Sequence, residues 1–346
     1  MKHAVTINDH LVGTNQPPFI IAEACINHEG DINIAKQMVH MAHAMGSDCI
    51  KFQIHVLDNE MLRETPQSDN FEEPLWDTLE RTNLTLDEHI KLMELCNNLG
   101  ILYLCTPFSK EGTDILEDIG VDFYKTGSGE MTNLPLIEYI AKKGKPMIIS
   151  TGMSNIDEVQ ETVDLVKSIG TPLIITHCTS AYPCPYNRIN LGMIPKYQQR
   201  FGIPIGLSDH SIGIYTSLGA VAMGAAVIEK HFTLDKMQKG PDHPSSIEPY
   251  ELGELVKGTR AIFEARGSEK KIYDEEKQII AWARESVVTE MDIKAGEIIS
   301  KEMVWVKRPS PGPGVVPAKD LKKVIGKSAL KDIPKDNQVK WEDLSV

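Results

Sequence analysis

Two histidines, His210 and His231, carry the strongest chemical signal in this chain. Each closes a short β-type run, in GLSDHS and in EKHFTLD, with Asp209 and Glu229 close by. Two neutral imidazoles at neighbouring strand ends suit a divalent transition ion such as Mn, Fe, Co or Zn, with positions left for substrate oxygens. A single hydrogen-bonded histidine is more often structural; the pairing at adjacent strand ends favours the metal. No H-E-x-x-H and no clustered cysteines point to a closed structural zinc site.

Two lysines form a second group. Lys51, in IKFQ, and Lys125, in YKTGSGE, each end an apolar run where a surface lysine has no reason to be. A lysine there holds phosphate or carboxylate as a point charge, or forms a Schiff base if desolvated. Thr106, Thr126, Gly127, Ser128, Gly129, Ser150 and Gly152 surround them in sequence. Such residues offer hydroxyl and backbone donors to phosphate oxygens, which favours anion binding. The G-S-G is neither G-x-G-x-x-G nor a P-loop. Among carboxylates, Glu23 and Glu130 could orient a sugar hydroxyl, hold a metal's water or act as general base. Asp242, in GPDHP, is either a turn residue or a site residue. Tyr182, in SAYPCPY, either meets a ligand or belongs to a stiff proline-rich loop. A metal, an anion pocket, hydroxyl donors and carboxylates together suit joining a phosphorylated carboxylate to a carbonyl.

The elements that must position these groups are eight β-type runs: Phe19–Ile26, Cys49–Gln53, Ile101–Phe108, Asp122–Ser128, Pro146–Thr151, Leu173–Thr179, Ile203–His210 and Val227–Phe232. Helical signals separate them, which predicts an α/β protein, a (β/α)8 TIM barrel. Active sites of that fold lie at the C-terminal strand ends, here offering Glu23, Lys51, Gln53, Thr106, Lys125, Ser128, Glu130, Ser150, Thr179, Asp209, His210 and His231. A helix is expected over 33–45. Gly100, Gly120, Gly144 and Gly170 each read as helix ends before a strand. Residues 1–18 read as a hairpin closing the bottom of the barrel. The excursion 55–83, with Pro66, Ser68, Asp69, Asn70 and Pro74 and no strong period, reads as a lid. The barrel domain is expected over 1–270, with a helix at 251–266, then a charged linker over 271–284 and a small β-rich module over 285–346.

The 346 residues carry 49 Asp and Glu against 36 Lys and Arg, a net charge of −13, which argues against general nucleic-acid binding. A 41% hydrophobic and 25% charged composition is that of an ordinary globular chain rather than a disordered one. Cysteines 25, 49, 96, 105, 178 and 184 form no C-x-x-C pair and read as small buried hydrophobes. The first residues, MKHAVTINDH, are too polar for a signal peptide, and no apolar run reaches the ~20 residues of a membrane helix. A cytoplasmic protein without membrane contact is expected.

The motifs AEACINHEGD (22–31), IKFQIH (50–55), CTPFS (105–109), KTGSGEMTNLPLI (125–137), ISTGM (149–153), HCTSAYPCPY (177–186), GLSDHS (206–211), EKHFTLD (229–235) and GPDH (240–243) resemble the bacterial sialic acid synthases. The tail, ESVVTEMDIKAGEIIS (285–300) with VWVKRPSPG (304–312), is similar to that family's antifreeze-like, or SAF, domain. The resemblance runs along nearly the whole chain in the right order. It implies condensation of phosphoenolpyruvate with an N-acetylmannosamine-type sugar, giving a nine-carbon 2-keto acid and phosphate. It implies that His210 and His231 hold Mn2+ or a similar ion. By the same resemblance Lys51, Thr106, Lys125, Ser128, Ser150, Ser180 and Ser208 grip phosphoenolpyruvate, and Glu23 lies near the reacting centre. Gln53, Glu130, Tyr182 and Asp242 fall on the sugar side. Arg308 would reach a partner subunit's site from the SAF domain, in a domain-swapped homodimer with Trp282 beside the interface.

Departures from the family pattern bear on the sugar. Ser180 stands where many members have Asn, and Phe52 where the N-acetylneuraminate branch has His. TNLPL (132–136) and DHPSSIEP (242–249) lean toward the legionaminic branch, whereas INHEG and HVLDNEM lean toward N-acetylneuraminate. The first expectation is N-acetylneuraminate synthase, with N,N'-diacetyllegionaminate or pseudaminate synthase as the alternative. A Schiff-base aldolase on Lys51 or Lys125, and a non-catalytic carbohydrate- or ice-binding protein suggested by the tail alone, complete the alternatives.

Overall fold

The computed structural model describes residues 4–66, 71–310 and 312–346. Ser68, Asp69 and Asn70 of the expected lid, residues 1–3 of the expected hairpin and Pro311 of the tail motif lie outside the described residues. The chain divides into two compact units, Met1–Gly267 and Ser268–Val346.

The first unit opens with a hairpin, β1 (Ala4–Ile7) antiparallel to β2 (His10–Gly13). Eight parallel strands follow: β3 (Phe19–Glu23), β4 (Cys49–Ile54), β5 (Leu102–Pro107), β6 (Tyr124–Thr126), β7 (Met147–Ser150), β8 (Leu173–Cys178), β9 (Ile205–Asp209) and β10 (Val227–His231). Their hydrogen-bonded order runs β5-β4-β3-β10-β9-β8-β7-β6, and β5 and β6 lie side by side to close a TIM barrel. All eight runs read from sequence are strands; seven are shortened by up to three residues at an end, and Cys49–Gln53 extends by one, to Ile54.

The two-residue period of a strand divides the barrel into an outer and an inner core. Ile20, Ala22, Ile50, Phe52, Ile149, Ile175, Leu207 and Ile228 pack outward against the helices. Phe19, Ile21, Cys49, Leu104, Phe123, Ile148, Ile174 and Val227 turn inward at the strand starts and meet Val5, Ile7 and Val12 of the hairpin. The bottom of the barrel is therefore sealed by apolar packing, and the same alternation delivers polar side chains to the strand ends above it.

Helix signals act as the sequence suggests. Thr85 and Glu88 form a capping box for the helix Leu86–Leu99, which Gly100 ends in a left-handed conformation at φ 80°. The helices expected at 33–45 and 251–266 span Ile32–Ala44 and Pro249–Ala265. The excursion after β4 is more ordered than its sequence suggests. It holds helices at Leu57–Glu60 and Leu75–Thr82, the second burying Trp76 and Leu79.

The segment read as a linker over 271–284 contains the helix Asp274–Ala283. The charges that suggested a linker are Asp274, Glu275 and Glu276 in the first turn, where they complement the helix dipole. Beyond it β11 (Ser286–Thr289) pairs antiparallel with β12 (Val304–Lys307). Isolated bridges such as Ile293 to Ile333 and Ala329 to Leu344 wrap a core of Val287, Ile299, Val304, Val316, Val324 and Val339. No helix among the described residues is long and apolar enough to cross a membrane.

Candidate active site

Strand register gathers the polar groups. Glu23 stands opposite Lys51 on one side and His231 on the other; Gln53 stands opposite Thr106, and Ser208 lies between Cys178 and Glu229. A cavity of about 360 Å³ opens at these strand ends. Of the residues expected in the site, it is lined by Glu23, Lys51, Gln53, Thr106, Lys125, Ser128, Ser150, Tyr182, Ser208, His210, His231 and Asp242.

The lower layer is a buried charge network centred on Glu229. Lys51 Nζ lies 3.0 Å from Glu229 Oε2 and 2.7 Å from Glu23 Oε2. Lys125 Nζ lies 3.5 Å from Glu229 Oε1, to which Ser208 donates at 3.0 Å. Lys125 also donates to Ser150 Oγ at 2.6 Å and to the Thr126 carbonyl at 2.8 Å. Two carboxylates thus face two ammoniums, a balance that makes burial of four charges tolerable. Burial alone would raise the Glu229 carboxyl; Lys125 and Lys51, with the Ser208 hydroxyl, hold it instead at about 2. Burial, helped by Lys125 and opposed by Glu229, takes the Lys51 ammonium down to about 7. Glu229 was not among the expected site residues. Its signal was available: it sits two positions before His231 and so shares its face of β10.

The upper layer holds the imidazoles. The His210 and His231 ring centroids lie 5.3 Å apart, with Tyr182 over His210 at 4.0 Å and edge-on to His231 at 5.7 Å. His210 Nδ1 lies 2.9 Å from the Thr179 carbonyl, which can only accept, so Nδ1 carries a proton; burial opposes the charged ring, but Cys178 and this hydrogen bond outweigh it and raise the pKa, and in the neutral ring Nε2 keeps the lone pair. Burial lowers His231 to about 4 and keeps its ring neutral. Its Nδ1 has no hydrogen-bond partner and lies 3.9 Å from Asp242 Oδ2. Donor atoms of Cys25, His231 and Asp242 all fall within 4.8 Å of one another. A thiol, an imidazole and a carboxylate around an unpartnered nitrogen fit a divalent metal. Cys25 is the small buried residue expected, packed with Ile26 and Leu79, and it also lines the cavity, from a left-handed backbone (φ 47°) two residues beyond Glu23.

Other buried atoms face the same space without hydrogen-bond partners, among them Glu23 Oε1 and Thr106 Oγ1. Ser128 accepts from Gly152 N at 3.1 Å. His55 joins Gln53 Oε1 at 3.1 Å to Glu60 Oε1 at 2.7 Å and stacks on Phe108. Ile26, Met61, Phe71, Leu75 and Leu79 give the cavity an apolar wall, supplied largely by the excursion after β4.

Several expected groups stand elsewhere. Ser180 lines a separate surface depression with Thr151 and Ser154, although its Oγ is 4.0 Å from Cys178 Sγ. Glu130 lies outside the lining; its Oε2 is 2.8 Å from where a Cβ on Gly127 would stand, so that glycine admits the carboxylate. Thr179 serves His210 through its carbonyl, while its hydroxyl donates to the Arg188 carbonyl. Asp209 turns away from the mouth. It accepts from Thr216, Ser217 and Ser211 N and pairs with Lys230 at 3.5 Å, because adjacent residues on a strand face opposite sides. Arg308 belongs to the second unit, with its guanidinium 6.0 Å from the Trp282 ring.

Comparison with known proteins gives the following. The profile of the NeuB family matches residues 38–271, and that of the SAF domain matches 284–345. An uncharacterized protein of Methanocaldococcus jannaschii is 40% identical, over 98% of both chains. The N,N'-diacetyllegionaminic acid synthase of Legionella pneumophila is 37% identical, over 96% of both chains. A crystal structure of N-acetylneuraminic acid synthetase from Leptospira borgpetersenii, in complex with citrate, superposes with a TM-score of 0.72 at 34% identity, covering 80% of this chain and 95% of that one.

Proposed function

Because the chain belongs to the NeuB family and ends in a SAF domain, we propose that it is a nonulosonate synthase, condensing phosphoenolpyruvate with an N-acylated hexosamine, most simply N-acetylmannosamine. Family membership sets aside the non-catalytic binding protein suggested by the tail. The observation that carries the proposal is the pair of buried ammoniums, Lys51 and Lys125, beneath two imidazoles and beside a carboxylate with a free oxygen.

In this reading the phosphate and carboxylate of phosphoenolpyruvate join Glu229 and Glu23 as partners of the lysines. Ser128, Ser150, Ser208 and Thr106 add hydroxyl donors, and Ser180 stands behind the Gly152 turn. The sugar lies above, against Gln53, Tyr182 and Asp242, with Glu130 behind the wall. A divalent metal, which Cys25, His231 and Asp242 would hold with His210 alongside, supplies Lewis-acid polarisation of the open-chain aldehyde. C3 of the enol phosphate bonds to the aldehyde carbon, whose π electrons pass to its oxygen, and water adds at the C2 cation, one of its protons ending on that oxygen. Glu23 Oε1 is free to take the proton that this water sheds. The tetrahedral C2 then expels phosphate and leaves the keto acid. Both lysines are engaged by carboxylates, which weighs against a Schiff base.

A second reading of the sugar rests on the apolar wall of Ile26, Met61, Leu75 and Leu79. It suits the methyl group of a 2,4-diacetamido-trideoxy hexose better than a hydroxymethyl or a phosphate. Phosphate release across N-acetylmannosamine, its 6-phosphate and the diacetamido-trideoxy hexoses tests both readings. The sugar with the highest kcat/KM names the branch. Silence with every sugar, or borohydride trapping of pyruvate on a lysine, overturns the condensation. The domain-swapped homodimer belongs to the proposal, with Arg308 meeting the N-acyl group in the partner's site. In the same assay Arg308→Ala raises the sugar KM, and an unchanged sugar KM and kcat removes Arg308 from the site.

The pH dependence has a definite sign. Lys51 is an ammonium below about 7 and neutral above, and only the ammonium pairs with an anion. In the free enzyme kcat/KM for phosphoenolpyruvate therefore falls as pH rises through about 7. Lys51→Arg, which stays charged, removes that limb. A wild-type profile that is flat between about pH 6 and about pH 9 would contradict this role.

A further inference from the structure

We propose that the Cys25 thiolate is a direct ligand of the metal at the barrel mouth, together with His231 and Asp242, and that it tunes the site toward thiophilic divalent ions. The proposal rests on the synthase reading only for the presence of a metal; the donor set is this chain's own.

Three observations carry it. The donor atoms of Cys25, His231 and Asp242 lie within 4.8 Å of one another. His231 Nδ1 is buried and makes no hydrogen bond, as a nitrogen awaiting a ligand would be. The Cys25 backbone is held in the left-handed region by the turn around it. Ala24 N donates to the Lys51 carbonyl, Asn27 N to the Ala24 carbonyl, and Asn27 Nδ2 to the Phe232 carbonyl and Ser246 Oγ. The turn is thus tied to β4 and to the segment after β10, which also carries Asp242.

The chemistry follows from ligand softness. Oxygen and imidazole donors leave Mn2+ competitive, whereas a thiolate favours Zn2+ and Co2+. The Mn2+ implied by family resemblance then becomes one of several ions the site accepts. Binding releases the thiol proton to solvent as the metal–sulfur bond forms. His210, its Nδ1 committed to Thr179, has its ring 5.3 Å from that of His231 but adds no donor atom to the trio.

Titration of the metal-free full-length protein with Co2+ alone tests the idea without turnover. A thiolate-to-cobalt charge-transfer band is expected in the near ultraviolet in wild type. It should vanish in Cys25→Ser, which keeps the side chain's size, and in Cys25→Gly, which suits the left-handed backbone, while the visible bands of bound cobalt persist. The ratio of Mn2+ to Zn2+ dissociation constants, from equilibrium dialysis, should fall about tenfold or more in both variants. Bound cobalt without the band in wild type overturns the proposal. So does a band that survives both substitutions and disappears in Cys178→Ser, or an unchanged ratio. Should no sugar release phosphate while the band appears, the synthase reading fails and the thiolate ligand stands.

Discussion

Stripping the divalent metal should lower phosphate release about 10³-fold or more, and adding back Mn2+ or Co2+ should restore it. A Lewis acid at the aldehyde contributes several kcal/mol to the barrier, and each ~1.4 kcal/mol is a factor of ten. The site's own ammoniums, Lys51 and Lys125, are committed to Glu23 and Glu229 below and do not replace it. His231→Ala should produce a loss of the same order that added metal does not rescue. Phosphate release measured beside elemental analysis decides the matter, and full activity in protein shown to be metal-free would sink the metal's role.

Glu229→Gln should be nearly as damaging, by another route. The substitution leaves Lys51 and Lys125 buried with Glu23 as the one remaining carboxylate of the network. Breaking such a buried pair costs about 3 kcal/mol or more, to be read from urea unfolding. Lys51 already titrates near 7, and loss of Glu229 removes the carboxylate that opposes its deprotonation. At neutral pH kcat/KM for phosphoenolpyruvate should therefore fall about 10²-fold, with partial recovery in more acidic buffer as the ammonium returns. A variant that binds phosphoenolpyruvate more tightly, or has wild-type stability, would show that Glu229 merely competes with the substrate.

The barrel was legible because its strands are continuous apolar runs separated by amphipathic helices, and that pattern survives any choice of residue at the ends. The strand-end residues were legible as a set, but their facing was not worked through. Asp209 and His210 are neighbours, and β9 necessarily sends them to opposite sides: His210 to the cavity and Asp209 to Lys230. Applying the same alternation backward from His231 would have found Glu229. Cys25 was hidden for a different reason. Its place in the cavity lining goes with a left-handed backbone angle just beyond β3, and neither composition nor period encodes one residue's φ. Ser180 and Glu130 followed the family pattern by position, yet loop geometry sets them beside the cavity rather than in its lining. The helix Asp274–Ala283 was masked by its own charges, which resemble a solvated tether until their place in a first turn is recognised.

The apolar stopper that Val5, Ile7 and Val12 press into the foot of the strands fills the barrel from below, and the cavity opens at the other end. Whatever settles deepest, beside Glu229, must be loaded before anything occupies the space under Tyr182, and it cannot be discharged until that space clears. The queue at that opening, and not any affinity difference between the two reactants, would then dictate the sequence of arrivals and departures in each turnover.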